Sequence, residues 1–215
     1  MAIVPDNKEG IQFEPVSSGT HIARCVGVWD VGTHRDNMFG KDVRKVILMW
    51  EIPGERIEIE RNGKIENLPR VVSRMYSNTL NEKSNLCHDL EAWAGKKINE
   101  KEKETFDLTR LLGKACMVQI IHETKGKSTY GNISTLMGLP KGSTCPPQET
   151  PSRSFDFSVD RDIPDETPKW IAKKIMESEE YKTRQGFSQV NNTPQSNVSD
   201  FYDVPPEHVE DNLPF

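Results

Sequence analysis

Two arginines and a tyrosine alternate along residues 70–77, a stretch with strand composition. Arg70, Arg74 and Tyr76 occupy even positions, so a strand would place them on one face, because successive side chains point to opposite sides. In a later strand-like stretch, the same alternation places Tyr130 outside the core. Bases of single-stranded nucleic acid stack on aromatic rings, at about 1–3 kcal/mol each, and cations follow the phosphates. We therefore expect these four residues to contact such a ligand.

Each of these residues has a second interpretation. Arg70 and Arg74 also suit an exposed strand face that pairs with the acids of a neighbouring hairpin. Tyr76 and Tyr130 fit the core about as well as a binding face. Trp29 lies in a strand whose two faces are both partly apolar, so alternation places it neither in a groove nor in the core.

The strands that position these residues are indicated by β-branched runs between turn residues. The apolar run at residues 46–50 suits a buried strand, and residues 33–42 form a polar loop. Asn62-Gly63 predicts a tight hairpin turn, because both positions tolerate positive φ. The predicted strands cover residues 20–31, 43–52, 57–60, 64–68, 70–77, 114–124 and 129–137.

A helical connection interrupts the strands. Leu86, Leu90 and Trp93 are spaced by four and three, which places them on one face of a helix, and Gly95 supplies a stop. A second helical turn is predicted over residues 107–113.

Three strands, a helical connection and two strands predict a mainly β fold. This order is typical of a five-stranded Greek-key barrel of the oligonucleotide- and oligosaccharide-binding (OB) type, here with an extra hairpin. Other small β-barrels share the order. The loops between strands 1 and 2 and between strands 4 and 5 frame the groove of an OB barrel. With Trp29, the residues of these loops complete the expected nucleic-acid contacts: Arg35, Phe39, Lys41, Lys125 and Lys127.

The composition divides the chain into three parts. Residues 1–141 hold the OB-like domain, and residues 142–184 are interpreted as a Pro-rich linker with one short helix at about residues 167–182. Residues 185–215 contain no Lys or Arg and carry five acids. A segment of that composition buries too little apolar surface to fold alone, so we expect a disordered acidic tail.

The predicted helix of the linker has a narrow apolar stripe of Trp170, Ile171 and Ile175. Thr167 suits its N-cap and Pro168 its first turn. The stripe can pack on the barrel or bind a partner or second copy, and we favour packing on the barrel.

The chain ends in an apolar triplet, Leu213-Pro214-Phe215, that follows Glu210 and Asp211. A Phe ring suits an apolar pocket, and the carboxylates suit basic residues around it. Pro214 reduces the entropy lost when the end is captured. We therefore expect this tip to bind a partner protein.

A barrel followed by an acidic tip with this end resembles the single-stranded-DNA-binding proteins (SSBs) of bacteria and bacteriophages. Gly19-Thr20, the strand at residues 70–77 and the Tyr-Gly-Asn-Ile run at residues 130–133 are most similar to phage-encoded SSB-like proteins. The resemblance implies an OB domain that coats single strands and a tip that recruits replication, recombination and repair enzymes.

The sequence favours a binding protein over an enzyme. It has no phosphate-cradling glycine loop, zinc-protease helix or nucleophile elbow. Two alternatives stay open: an accessory or adaptor protein that binds no DNA, and a metal-dependent nuclease built from the abundant acids.

No cofactor, metal or membrane contact is expected. The four cysteines are far apart in sequence, and no apolar run approaches eighteen residues. The first twenty residues are too charged for a secretory signal, so we expect a cytoplasmic protein, in the host cell if phage-encoded. The oligomeric state is left open.

Overall fold

The computed structural model describes residues 14–36, 40–61, 63–126 and 128–186, which form a mainly β structure. The strands are β1 (Gly19–Asp36), β2 (Lys41–Arg61), β3 (Lys64–Ser77), β4 (Ala115–Lys125), β5 (Ser128–Met137) and β6 (Arg153–Phe155). The helices are α1 (Asn85–Ala94), α2 (Glu100–Glu104), α3 (Lys169–Glu177) and α4 (Glu179–Gly186), with a 3-10 turn at Leu108–Leu111.

Five antiparallel strands form one curled sheet in the order β3-β2-β1-β4-β5. The edge strands β3 and β5 approach each other, so the sheet is an open half-barrel. This confirms the prediction of a mainly β fold with three strands, a helical connection and two strands.

The central strand β1 has three partners. Its first part, Gly19 to Arg24, pairs with β4, and β2 pairs with it from Arg24 to Asp36. The pairing with β4 stops at Arg24, and further along β1 the residues Gly27 to Trp29 pair in parallel with β6. Bulges between Cys25 and Gly27 and between Asp30 and Gly32 change the register and let this long strand bend.

Several strands that were predicted separately are parts of one long hairpin, β2–β3. Its ladder runs from Lys45 opposite Ser77 to Arg61 opposite Lys64, with an irregularity between Ile52 and Arg56. Gly63 has a φ of +73°, as the predicted hairpin turn requires; Asn62 lies outside the described residues. The predicted loop at residues 33–42 is shorter than expected, since β1 continues to Asp36 and β2 begins at Lys41.

The predicted helical connection is confirmed. α1 buries Leu86 and Leu90, begins after the Ser84 cap and ends at Gly95, whose φ is +66°. Asp107 caps the 3-10 turn through the N–H of Thr109. The short helix α2 was not predicted.

The inner face of the half-barrel holds the first core. Residues from all five strands and α1 meet there, and the rings of Trp50 and Trp93 lie 6.2 Å apart. Cys25 and Cys116 are buried in this core as free thiols.

A second core covers the outer face of β1–β3. Trp29 and Ile47 lie on the sheet side, and Phe155, Ile171 and Ile175 cover them from the C-terminal side. The expected packing of the helical stripe on the barrel is therefore confirmed, and much of the segment interpreted as a linker is part of the folded domain. The remaining buried members are Val26, Val31, Met49 and Phe157.

The helix on this face differs in detail from the prediction. Pro168 occupies the N-cap position with no side-chain cap, and the buried Thr167 hydroxyl has no hydrogen-bond partner, so the expected Thr167 cap is wrong. The predicted single helix is broken at Ser178, whose hydroxyl donates to the carbonyl of Ile175 (2.6 Å), and α4 follows.

Two side chains of the sheet fasten the beginning of this C-terminal segment. The buried carboxylate of Glu51 accepts hydrogen bonds from the N–H groups of Glu149 (3.2 Å) and Thr150 (2.7 Å). Arg24 of β1, which lies opposite Glu51 in the sheet, donates to the carbonyl of Pro146 (2.7 Å). The segment is thus joined to the sheet by polar as well as apolar contacts.

The end of the segment is fastened as well. The carboxylate of Glu180 accepts from the N–H (2.6 Å) and the hydroxyl (2.7 Å) of Thr33 on β1. The guanidinium of Arg184 donates to the carbonyl of Phe157 and lies 4.8 Å from the centre of its ring. Within the described ranges, no helix is long and apolar enough to span a lipid bilayer.

Candidate nucleic-acid interface

The alternation predicted for β3 is present, but its orientation is the reverse of the expected one. Val72 and Tyr76 belong to the first core, so the face with the two arginines is the inner face of the half-barrel. Tyr76 is 0% exposed. The prediction that its ring contacts a bound strand is therefore wrong, because a buried ring offers no stacking surface.

Arg74 and Tyr76 instead join β3 to α1. The Tyr76 hydroxyl donates to Asp89 Oδ2 (2.7 Å), and Arg74 Nη1 lies 3.0 Å from the same oxygen. The Arg74 guanidinium is 5.1 Å from the centre of the Tyr76 ring, a cation–π distance. This cluster holds the helix against the edge strand, so both residues have a structural role.

We predict that Tyr76→Phe lowers the free energy of unfolding by about 1.5 kcal/mol, because it removes a hydrogen bond to a charged acceptor. Urea unfolding followed by circular dichroism measures this. Tyr130→Phe, the same change at a half-buried position on β5, is the control and is expected to cost less than about 0.5 kcal/mol. Weaker DNA binding by the Tyr76 variant with unchanged stability would contradict the structural role.

Arg70 contributes to closure of the half-barrel. Its guanidinium donates to the backbone carbonyl of Glu14. On the opposite side, His122 Nε2 lies 2.8 Å from the carbonyl oxygen of Val16, which is buried in the first core. Residues 14–16 therefore cross the gap between β3 and β4–β5, and Arg70 anchors one end of this crossing.

Trp29 is fully buried in the second core. The prediction that it contacts nucleic acid is wrong. Both faces of β1 are partly apolar because each face packs in a different core. Val28 lies in the first core and Trp29 in the second.

The predicted loop cations lie at opposite ends of β1. Arg35 and Lys41 are exposed where β1 ends, and Arg35 Nη1 is 3.1 Å from Asp42 Oδ1. Lys125 is exposed at the end of β4. It lies beyond Ile120, which pairs with Gly19 at the beginning of β1. The structure does not bring the two sets together. Phe39, Lys127 and the tip residues Glu210, Asp211, Leu213, Pro214 and Phe215 lie outside the described residues.

Tyr130 and Lys125 are a predicted aromatic contact and a predicted cation that lie together on one accessible surface. Tyr130 is half-buried on β5 opposite Glu123, and Lys125 follows two residues later on the same face of β4. Lys125 Nζ lies 3.8 Å from Glu123 Oε1. Two parts of the predicted interface are therefore accessible, the end of β1 with Arg35 and Lys41 and the β4–β5 hairpin, and among the described residues the hairpin is the part with a predicted aromatic ring.

Neither protein-family models nor curated proteins match this sequence. The function must therefore be argued from the geometry. Among the residues that the structure describes, no three His, Cys, Asp or Glu side chains are grouped as a metal site requires. Burial raises the pKa of the Cys25 thiol to about 12 and also raises that of Cys116, so both thiols stay protonated at neutral pH.

Sequence reasoning did not anticipate the polar anchors Arg24 and Glu51 or the strand β6. One signal was available for β6: Phe155, Phe157 and Ile163 interrupt a segment that is otherwise rich in Pro, Ser and Asp. Apolar residues at intervals of two are the pattern of a short strand with one buried face.

Proposed function

We propose that this protein is a non-enzymatic, OB-type single-stranded-DNA-binding protein. The observation that carries the proposal is the sheet order. The strand β1 lies between β2 and β4, α1 connects β3 to β4, and the edges β3 and β5 curl toward each other. This order is consistent with the five-stranded Greek-key barrel of the OB type, which binds oligonucleotides, and it supports the proposal.

The proposed mechanism is sequence-independent. Stacking of bases on Tyr130 and attraction of phosphates to Lys125 require no reading of base edges. The domain that binds DNA extends to the end of α4, since the second core belongs to it. The acidic end, with its terminal Leu213-Pro214-Phe215, recruits enzymes that work on the same single strands during replication, recombination or repair.

The test is a fluorescence-anisotropy titration of labelled oligo(dT) and of a matched duplex over a range of salt concentrations. We expect preference for the single strand and a loss of affinity with salt. If three to five phosphates are neutralised, log K falls against log salt with a slope of about −2 to −3.5. Equal affinity for the duplex, or a flat salt response, would contradict the proposal. The same samples with magnesium test for a nuclease, which would shorten the oligonucleotide.

A specific observation favours a second candidate, an adaptor whose barrel binds protein. Arginines of β1–β3 lie beside carboxylates, which neutralises much of their charge. The pairs are Arg35–Asp42, Arg44–Asp30, Arg56–Glu149 and Arg74–Asp89. An adaptor would show no binding to oligo(dT) even at low salt.

A further inference from the structure

Among the described residues, parts of the curled sheet are occupied by neither core. The inner face is filled by the first core, and the outer face of β1–β3 is covered by the second. The outer face of β2 and β3 is the part of an OB barrel that ordinarily carries the ligand. In this protein β6, α3 and α4 pack on the outer face of β1, and the second core that they form extends to Ile47 and Met49 of β2.

The open region is the outer face of β4 and β5, formed by cross-strand pairs such as Met117–Met137, Ile121–Asn132 and Glu123–Tyr130. We call it the outer β4–β5 face. Ile121 is 48% exposed and Met137 is 37% exposed, whereas their neighbours Ile120 and Leu136 are buried in the first core. From Met117 to Lys125 the face is about 27 Å long, at about 3.4 Å per residue.

The chemistry of this face suits a nucleotide chain. Ile121, Met137 and the Tyr130 ring offer apolar surface to the flat sides of bases. The Asn132 side chain donates to Glu123 Oε2 (2.9 Å), so the acid in the middle of the face is already hydrogen-bonded. Lys125 adds a cation at the hairpin end, where a phosphate can be neutralised.

Other open surfaces are less suited to a polyanion. The outer part of the β2–β3 hairpin carries the exposed carboxylates Glu58 and Glu60, which repel phosphates.

From this comparison we infer that single-stranded DNA lies along the outer β4–β5 face, and not across the outer face of β2 and β3. The inference rests on the proposed function and names the surface that performs it. Ile121 and Met137 become contact residues beside Tyr130 and Lys125.

The experiment compares Ile121→Glu with Ile65→Glu in the full chain, using labelled oligo(dT). Ile65 is 73% exposed near the tip of the β2–β3 hairpin, so both variants place the same new charge on an exposed strand residue. Ile121→Glu is expected to weaken binding at least about tenfold, and Ile65→Glu less than about twofold. Met137→Glu is expected to act like Ile121→Glu. Thermal unfolding of each variant checks that it folds.

Each result decides the matter. Equal losses of oligo(dT) affinity in the Ile121 and Ile65 variants, or no loss in either, would overturn the assigned surface. The proposed function would still be supported in that case, provided that the unaltered protein binds oligo(dT). No binding by the unaltered protein would overturn both. The remaining outcome is that Ile121→Glu reduces the molar mass from a dimer to a monomer and leaves oligo(dT) affinity unchanged. A second copy would then cover the face, which also overturns the inference.

Discussion

A chain that ends at Lys141 is expected to aggregate or remain unfolded. The truncation removes β6, α3 and α4 and leaves Trp29 and Ile47 without their cover. Four covering side chains are lost, and burial of each contributes about 1.5–3 kcal/mol, so about 6–12 kcal/mol disappears. A whole domain is stable by only about 5–15 kcal/mol. Circular dichroism and light scattering, compared with the full chain, measure the outcome.

A pair of point substitutions controls for the size of the deletion. Ile171→Asp buries a charge in the second core and is expected to unfold the protein, whereas Met176→Asp, on the same helix at 43% exposure, is expected to leave it folded. A soluble, cooperatively folding chain ending at Lys141, or equal stability of the two variants, would show that residues 1–141 form an independent domain.

Glu51→Ala is expected to lower the free energy of unfolding by about 2–6 kcal/mol. The substitution leaves the N–H groups of Glu149 and Thr150 without their acceptor, and each unpaired buried group costs about 1–3 kcal/mol. Glu51→Gln keeps one acceptor oxygen and is expected to cost less. Urea unfolding measures all three proteins.

The matched control is Glu58→Ala, which removes an exposed acid from the same strand and is expected to change stability by less than about 0.5 kcal/mol. Limited proteolysis gives a second readout, since residues 145–150 become cleavable when the Glu51 bonds are lost. If Glu51→Ala matched the control in both assays, the carboxylate would not be fastening the segment.

The local elements of this fold could be predicted because their signals are local. The spacing of Leu86, Leu90 and Trp93 and the stop at Gly95 specify α1, and Gly63 supplies the positive φ of the hairpin turn. Turn residues and periodicity act over a few residues, so the chain order of strands and helices followed from them.

The orientation of the strands could not be predicted in the same way. Alternation shows that Arg74 and Tyr76 share a face, but the inner face is determined by what packs there. That is α1, which supplies Asp89 as the acceptor for both side chains. A buried tyrosine with a hydrogen-bonded hydroxyl and a tyrosine that stacks on bases have the same pattern in sequence.

The second core was predicted only in part, through the packing of the α3 stripe on the barrel, because its two halves are far apart in the chain. Trp29 lies in β1, whereas Phe155 and Ile171 come from a segment whose average composition is that of a linker. Four buried apolar residues in such a segment do not alter the average, yet each packs on the sheet. Tyr130 and Lys125 lie outside both cores, as the sequence predicted, and their contact with nucleic acid stays a prediction.

The three partners of β1 also determine when the molecule can complete its folding. β2 follows β1 at once, but β4 comes after the helical connection and β6 begins only at Arg153. At the usual 5–20 residues per second, a ribosome needs about 6–24 s to make the chain from the end of β1 to the end of β6. During that time the Gly27–Trp29 edge of β1 is unpaired, and an unpaired edge is a template for pairing with other chains. Contacts this distant in sequence also make folding slow, so this edge stays open to other chains until the last strand emerges.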